Sequence, residues 1–191
     1  MNIFAIESHP ADCARSMVDK HVVKMVLETA QLLSTAHRIL DGTEYIDKTK
    51  TGRNIRRWCL PDDREQHLYS ATHINHPSAV WCRASNNNYN WLACHFGALL
   101  TEYTYRYGKH HKCEAMVPWL QNPPHGIPVG WLTPVTPAMP DEYKVPGDSV
   151  ASYRNYYRGA KSRMFKWTNR ETPEWINYTP IEITEAIRKH K

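Results

Sequence analysis

The chain of 191 residues is 41% hydrophobic and 23% charged, a composition typical of a soluble globular protein with room for one buried core. It has no apolar run near the ~18 residues of a membrane span, and its start, MNIFAIESHP, is too short and too polar for a secretory signal. Five cysteines without a C-x-x-C pair favour reduced thiols in the cytoplasm, and a net charge of +5 is compatible with a polyanionic partner.

A long helix is predicted over residues 12–40, which contain neither Pro nor Gly and are rich in helix formers. Gly42 follows as a stop signal, and the apolar run from Ile3 to Ile6 precedes the helix as a strand-like stub. At about 100° per residue, one apolar face is expected to face the core. It consists of Val18, Val22, Met25, Thr29, Leu32, Leu33 and Ala36.

A narrow polar stripe runs along the same helix, between that face and a second apolar face. The stripe consists of His21, Lys24, Glu28, Gln31 and Thr35, and the second face of Val23, Leu27 and Ala30. Apolar surface on both sides is not typical of a solvated face, so the stripe is predicted to line a cleft. Lys24 and Glu28 also have the i,i+4 spacing of an ion pair, which needs no function.

Residues 41–76 show no sustained period, and a long loop with a short helix within 62–71 is predicted. Four arginines lie close to Trp58: Arg53, Arg56, Arg57 and Arg64. Guanidinium groups bind phosphates and an indole stacks on a base, so this loop suits a nucleic acid. The alternative is a solvated loop anchored by one tryptophan.

A second long helix is predicted over 77–107, from Pro77 in its first turn to Gly108 as its stop. Three polar residues share one of its faces: Asn88, His95 and Glu102. His95 is either part of a site or a core histidine with a satisfied ring. The asparagines at 86–88 are weak helix formers, which favours amides that serve a site or bridge to another segment.

The remaining chain divides into a proline-rich segment and a basic helix. Eight of the thirteen prolines lie within 114–147, where an ordered wrap over the helices is predicted. A third long helix is predicted over 148–167, and a short amphipathic helix from Thr179. Basic residues alternate with aromatic ones in the third helix: Tyr153, Arg154, Tyr156, Tyr157, Arg158, Lys161, Arg163, Phe165, Lys166 and Trp167. This mixture suits phosphates and bases; the alternative is a cationic solvated helix.

Common catalytic motifs are missing from the sequence. It contains no G-x-x-x-x-G-K-[ST], G-x-G-x-x-G or G-x-S-x-G. Several histidines are candidate metal ligands together with His21 and Glu28: His73, His76, His110 and His111. Because no spacing matches a recognised metal site, we expect neither a metal nor a cofactor, and a histidine-rich helical metalloenzyme stays as an alternative.

The string Asp19-Lys20-His21-Val22-Val23 followed by Glu28 resembles the first helix of the phage pyrimidine-dimer DNA glycosylase/AP lyase family, the endonuclease V-type base-excision enzymes. In that family an Asp-x-His pattern precedes the catalytic Glu, which lies seven residues after the His. His76-Pro77 resembles the start of the family's second helix. Tyr153-Arg154-Asn155-Tyr156-Tyr157 resembles its Trp-Tyr-Lys-Tyr-Tyr string.

The resemblance implies a compact all-α single domain over 1–191, built on three long helices, with insertions at about 41–72 and 114–147. It implies a monomeric enzyme of the host cytoplasm that flips a damaged or modified base out of double-stranded DNA and cleaves its N-glycosidic bond, with possible AP-lyase activity. The catalytic residues would be Glu28, His21, Met1 and Asn2. The substrate-binding residues would be Lys24, Gln31, Asn88, His95, Arg53, Arg57, Arg154, Tyr157, Arg158 and Lys161.

Two departures from the family pattern bear on the chemistry. Leu27 and Gln31 stand where the family has arginines beside the catalytic Glu. The family's nucleophile is an α-amine exposed by removal of the initiator Met, whereas Asn2 is large enough for Met1 to be retained. The α-amine would then belong to Met1. A non-catalytic nucleic-acid-binding protein of the same fold is therefore a further alternative.

Overall fold

The structure is a computed structural model that describes residues 1–177, and the helix predicted from Thr179 lies outside them. These residues are predominantly helical, with one two-stranded antiparallel sheet. The elements are α1 (Pro10–Ser16), α2 (Asp19–Asp41), β1 (Thr43–Lys48), β2 (Asn54–Cys59), α3 (Arg64–His67), α4 (Pro77–Ala84), α5 (Asn86–Tyr107), α6 (Val117–Leu120) and α7 (Ser149–Tyr156). None of these helices has the length and apolar character that a membrane span requires.

The centre of the core is α2, against which α4 and α5 pack. Its predicted apolar face is confirmed, because every residue of that face is at most 1% exposed: Val18, Val22, Met25, Thr29, Leu32, Leu33 and Ala36. Ala30 on the second face is also buried, whereas Val23 and Leu27 are 43% and 37% exposed. Ile3 to Ile6 are buried as predicted, but they form no strand.

The helix predicted over 12–40 is divided into α1 and α2 by extended backbone at Met17 and Val18. Arg106 of α5 donates hydrogen bonds to the carbonyls of Arg15 and Met17, at 2.8 Å each. These carbonyls are therefore satisfied without a continuous helix. No Pro or Gly marks the break, since a residue about 90 positions away determines it.

The helix predicted over 77–107 is likewise divided, at Ser85, whose backbone is extended and whose Oγ accepts from Asn88 N–H at 3.1 Å. The asparagines that follow bridge to the proline-rich segment. Asn86 and Asn87 bind Gly130 N–H and C=O at 2.9 and 2.7 Å. The amides therefore tie this segment to the start of α5.

The third predicted helix, over 148–167, is much shorter than expected. Asp148 caps α7 by accepting from Ala151 N–H at 2.9 Å, and α7 ends at Tyr156. A π-type turn and a 3-10 turn follow, over Tyr157–Lys161 and Ser162–Met164. A Cβ at Gly159 would collide with the Tyr143 ring, so this close approach requires glycine there. The described chain therefore has two long helices, α2 and α5, rather than three.

The long loop predicted after α2 is wrong in its first half, because β1 and β2 form a hairpin there. Thr43 pairs with Cys59 and Lys48 with Asn54, and Gly52 takes a φ of 80° in the turn. The predicted short helix exists, but only as the single turn α3. The period-2 signal was missed because nearly all side chains of the hairpin are exposed, so no apolar face alternates with a polar one.

We expect Arg106→Ala to destabilise the protein strongly. Its side chain is fully buried and pairs with Asp19 at 2.9 Å and Glu102 at 2.7 Å. Removal leaves buried carboxylates and carbonyls without their donor, which costs about 3–5 kcal/mol. Urea unfolding measures the change, with the exposed Arg15→Ala as control, whose pair with Asp12 is worth at most ~1 kcal/mol. A loss below ~1 kcal/mol for Arg106→Ala would contradict this account.

Candidate functional site

Glu28 lies on the side of α2 that the N-terminal residues cover. Its Oε2 accepts a hydrogen bond from Asn2 N–H at 3.1 Å, and its Oε1 is 3.1 Å from Lys24 Nζ. The Glu28 side chain is 15% exposed and that of Lys24 is 57% exposed. The start of the chain is therefore held against a carboxylate that solvent still reaches, with a lysine on its other oxygen.

The N-terminal residues are fixed in this place by side chains from distant parts of the chain. Asn2 Nδ2 donates to Ala138 C=O at 2.7 Å, and Asn2 Oδ1 accepts from the Tyr153 hydroxyl at 2.7 Å. Phe4 has a φ of 54°, a left-handed conformation that is costly for a bulky residue and persists only where surrounding contacts hold it. The Asn2 amide therefore positions the chain at Glu28.

His21 is buried beneath this segment rather than exposed in a cleft. Its ring stacks on Phe4 with centroids 4.2 Å apart, and its Nδ1 lies 2.5 Å from the Tyr157 hydroxyl. Burial, assisted by Lys161 and Lys24, lowers the pKa of His21 to about 3, so the ring is neutral at pH 7. Burial also raises the pKa of Tyr157 well above its usual value, so its hydroxyl keeps the proton and donates to Nδ1. The Nε2 atom of His21 then carries the ring hydrogen.

Two lysines face His21 closely enough to lower its pKa, Lys24 of α2 and Lys161 of the turn after α7. Lys161 Nζ lies over the Tyr156 ring, 4.5 Å from its centroid. Gln31, one turn beyond Glu28 on α2, is half-buried. The structure thus brings together a carboxylate, two ammonium groups and a neutral imidazole, which can hold a phosphate and oppose positive charge on a sugar.

His76 belongs to this group, although the sequence pointed to it only as a metal ligand and as the residue before Pro77. It is half-buried, and its Nδ1 accepts from Ser78 N–H at 3.2 Å as the cap of α4. Burial lowers the pKa of His76, and the N-terminal ammonium and His73 lower it further, whereas Glu28 opposes them. His76 therefore lies within electrostatic reach of both the α-amine and the candidate carboxylate.

Two predicted substrate-binding residues are instead core residues. Asn88 is fully buried, and its Nδ2 donates to Trp81 C=O at 3.0 Å while its Oδ1 accepts from Thr133 N–H at 2.8 Å. His95 is also fully buried, and its Nδ1 is 3.0 Å from Pro10 C=O. Burial lowers the pKa of His95 to about 4. Their shared helix face packs inward, so both side chains are enclosed by the protein.

The arginines of the predicted basic surface after residue 148 make hydrogen bonds within the protein. Arg154 donates to Ile6 C=O at 2.9 Å and to Glu7 at 2.6 Å. Arg158 donates to Trp175 C=O at 2.8 Å and to Asn155 at 2.7 Å. Tyr157 is fully buried beside His21 and supports it without reaching solvent. Lys161, by contrast, lies near enough to His21 to lower the pKa of its ring.

Arg53 and Arg57 lie on the β1–β2 hairpin, which begins after the C-terminal end of α2. Thirteen residues of helix separate Glu28 from Asp41, which is about 20 Å at 1.5 Å per residue. Arg53 is exposed in the turn, and Arg57 lies 3.7 Å from Asp47. The structure therefore does not bring these arginines to Glu28.

Residues 1–115 match the family described as pyrimidine dimer DNA glycosylase. The chain belongs to this family. The resemblance read from the sequence is thereby confirmed, and the family indicates an enzyme that acts on DNA as a glycosylase. The matched range contains Met1, Asn2, His21, Glu28 and His76, and it ends before α7. No curated protein and no solved structure matches the chain.

The histidine-rich metal site has no support in residues 1–177, where no three His, Cys, Asp or Glu side chains converge as metal ligands. His110 pairs with Glu114 at 2.8 Å on the surface, and His111 caps the following 3-10 helix. His73 bonds its neighbour Thr72 at 2.8 Å. These three histidines therefore act as an ion-pair partner, a helix cap and a hydrogen-bond partner.

We expect the protein to lose stability as the pH falls below about 6.5. Burial is the main cause that lowers the pKa of His21 to about 3 and of His37 and His95 to about 4, against about 6.5 in an unfolded chain. Between these values the unfolded state binds more protons, so the free energy of unfolding decreases with decreasing pH.

Urea unfolding at pH 7.5 and 4.5 measures this loss for the parent and for His21→Asn. The variant lacks one titrating group, so its free energy of unfolding should fall on acidification by roughly 2–3 kcal/mol less than that of the parent. His110→Asn, which removes a histidine whose side chain is 75% exposed, is the control and should lose as much as the parent. Equal losses in His21→Asn and the parent would contradict a neutral His21.

Proposed function

We propose that this protein is a DNA glycosylase that flips a damaged or modified base out of duplex DNA and cleaves its N-glycosidic bond with Glu28 beside the sugar. The contact between Glu28 Oε2 and Asn2 N–H, at 3.1 Å, carries the proposal. It joins the chain start to a carboxylate 26 residues away, in a chain of a DNA glycosylase family. Nothing in the packing of the core requires a carboxylate there, since α2 buries its apolar face on other sides.

Cleavage of the glycosidic bond builds positive charge on the sugar as the base departs. A carboxylate next to the sugar opposes that charge, and it is most effective where the bound DNA excludes water. Glu28 is half-enclosed by the N-terminal residues and still accessible. Flipping costs a few kcal/mol for a paired base and less for a damaged one, which favours damaged substrates.

Lys24, Lys161 and His21 would position the DNA. The two lysines supply charge for phosphates on either side of the target nucleotide, and the hydrogen on His21 Nε2 is available to a sugar or phosphate oxygen. His21 stays neutral because it is buried, so it orients without adding charge. Gln31 is one turn from Glu28, where its amide can bond a base edge or a phosphate.

The α-amine supplies the second half of the chemistry. In its neutral form an α-amine is a nucleophile that can form an imine with a sugar carbon. Its nitrogen attacks C1′, the base leaves with the electrons of the glycosidic bond and takes a proton, and an imine forms as the sugar ring opens. Glu28 then removes the C2′ proton, and the 3′ phosphate leaves. With Met1 retained, this amine lies one residue from the Glu28 contact and close to His76.

A non-catalytic DNA-binding protein of the same fold is the second candidate. The neutral side chains of Leu27 and Gln31 beside Glu28 favour it, because they remove phosphate-binding charge from the centre of the site. The proposed enzyme acts as a monomer on double-stranded DNA in the cytoplasm, and the second candidate would share that partner. Turnover on damaged DNA distinguishes the two.

We expect Glu28→Gln to lower glycosylase turnover by orders of magnitude while DNA affinity is kept or increased. The change preserves shape and removes the charge that opposes the sugar cation, and it also removes repulsion from phosphates. Turnover and affinity are measured on one preparation, with the melting temperature as folding control. Glu114→Gln, a surface carboxylate paired with His110, is the matched control and should behave as the parent. Near-parental turnover of Glu28→Gln would reject the proposal.

The amine is tested by borohydride trapping on a duplex with an abasic site. We expect a covalent adduct whose peptide mass places the DNA on the α-amine of Met1, or of Asn2 if Met1 is removed. Lys24→Ala should still form the adduct, because its amine pairs with Glu28 and is not the nucleophile. An adduct on a lysine side chain, or its loss in Lys24→Ala with affinity kept, would contradict the α-amine as nucleophile.

A further inference from the structure

We propose that the β1–β2 hairpin is a DNA-binding arm that contacts the phosphate backbone of the duplex several base pairs away from the nucleotide at Glu28. The proposal rests on the proposed function for its partner, double-stranded DNA. It extends that function to a surface outside the candidate site.

The hairpin projects from the body of the protein. Its side chains are exposed on both faces from Thr43 to Arg56, with Asp47, Thr49 and Ile55 half-buried. Tyr45 is 47% exposed and Ile46 is 61% exposed, although aromatic and branched residues of a strand usually pack against a partner. A two-stranded ribbon without a covering layer gains little stability by itself. A role in binding accounts for a ribbon that the core does not use.

The base of the hairpin is held firmly. Trp58 is 7% exposed, and the buried guanidinium of Arg38 donates to Trp58 C=O at 2.9 Å. The same guanidinium bonds Leu68 C=O at 2.9 Å and the Glu65 carboxylate at 2.5 Å. A Cβ at Gly42 would collide with Arg38 C=O, so the chain passes closely over the end of α2. The arm is therefore anchored by α2 and α3 and free at its tip.

The charges of the hairpin are separated along its length. Near the base, Arg56 pairs with Glu44 at 2.6 Å and Arg57 lies 3.7 Å from Asp47. Three further cations occupy the tip: Lys48, Lys50 and Arg53. The run from Lys48 to Arg53 contains no acidic residue, and within residues 1–177 no carboxylate lies within ion-pair distance of these three cations. Five cations and two carboxylates over Thr43–Cys59 leave a net charge of +3, concentrated at the tip.

This charge distribution fits the DNA backbone better than a protein surface. Neutralising each phosphate releases counterions, so three unpaired cations with two threonine hydroxyls between them gain most from a polyanion. A two-stranded ribbon also has the width that the major groove accepts, about 12 Å. An edge that recruited a second β-strand would instead be expected to carry its apolar residues on one face, whereas Tyr45 and Ile46 lie on opposite faces.

The length of the arm fixes where it meets the duplex. The start of the hairpin lies about 20 Å from Glu28 along α2, and six residues of strand extend it by up to about 20 Å. A duplex rises about 3.4 Å per base pair, so a hairpin that extends away from Glu28 would meet DNA roughly 6 to 12 base pairs from the target nucleotide. A short duplex centred on the lesion would not reach the tip.

The test compares the parent with Lys48→Ala/Lys50→Ala/Arg53→Ala on two lesion-containing duplexes, of about 10 and about 30 base pairs, over a salt series. On the long duplex the variant's log–log salt slope should be smaller in magnitude by about 2.7, at about 0.9 for each of three contacts. Between 50 and 200 mM salt the parent should then lose about 40-fold more affinity than the variant. On the short duplex the ratio between the parent's and the variant's loss of affinity, over the same salt range, should be at least tenfold smaller.

A triple variant of Lys109, Lys112 and Lys144 to alanine is the matched control. These exposed lysines lie on other elements, and the control should keep the parent's slope. Equal slopes for the parent and the tip variant on the long duplex would overturn the proposal. If the tip variant differed from the parent equally on the short and the long duplex, the three cations would lie at the candidate site, and this result would also overturn the proposal. Unchanged DNA binding with an altered oligomeric mass would assign the hairpin to a second copy of the chain.

Failure of the proposed function is visible separately. It appears as undiminished turnover in Glu28→Gln, a measurement in which the hairpin is intact. The salt slopes are measured at equilibrium and do not depend on cleavage, so they report the hairpin's contact with DNA in either case.

Discussion

The buried guanidinium of Arg106 is the constraint on which the site depends most. It bonds the carbonyls of Arg15 and Met17, and it pairs with Asp19 at the first residue of α2 and with Glu102. Asp19 in turn accepts from Thr168, and burial, which alone would raise the pKa of Asp19, is outweighed by these hydrogen bonds, so that the pKa lies below its usual value. One side chain of α5 thus fixes where α2 begins and where the C-terminal segment docks, and with them the position of His21.

The site itself is assembled by the C-terminal part of the chain acting on the first residues. Tyr153 holds the Asn2 amide, and Tyr157 holds His21 beneath Phe4. Both tyrosines lie outside the range that matches the family, whereas the residues they position lie inside it. The candidate site residues and the tyrosines that support them are therefore separated along the sequence by 136 and 151 residues, so the fold of α7 and of the turn after it is a condition for Asn2 N–H to meet Glu28.

The parts of the structure that depend on local periodicity were predicted from the sequence. The parts that depend on contacts with distant residues were not. The apolar face of α2 follows from spacing alone, and the seven-residue interval places His21 and Glu28 along one side of the helix. The breaks at Met17 and Ser85 depend on Arg106 and on the proline-rich segment, which no local pattern records. The sequence did not determine whether His95 and Asn88 are buried, because polar residues on one helix face indicate either a functional site or side chains that are hydrogen-bonded in the core. The hairpin was not predicted because most of its side chains are exposed, and packing is what imposes alternation on a strand.

The distribution of positive charge depends on which cationic side chains are hydrogen-bonded within the protein and which are exposed. The formal charge of +5 and the aromatic-basic string after residue 148 suggested a DNA-binding helix, in addition to the arginine-rich loop around Trp58. Arg154 and Arg158, however, bond backbone carbonyls and side chains within the protein, so their charge is committed to folding. The exposed cations include Lys24 beside Glu28 and three at the tip of the hairpin: Lys48, Lys50 and Arg53. The lysine ammonium is a strongly hydrated charge on a flexible stem, whereas the planar guanidinium of arginine is favoured where several fixed acceptors surround it. Arg38, Arg106 and Arg154 are therefore bonded within the protein, whereas among residues 1–177 exposed lysines outnumber exposed arginines.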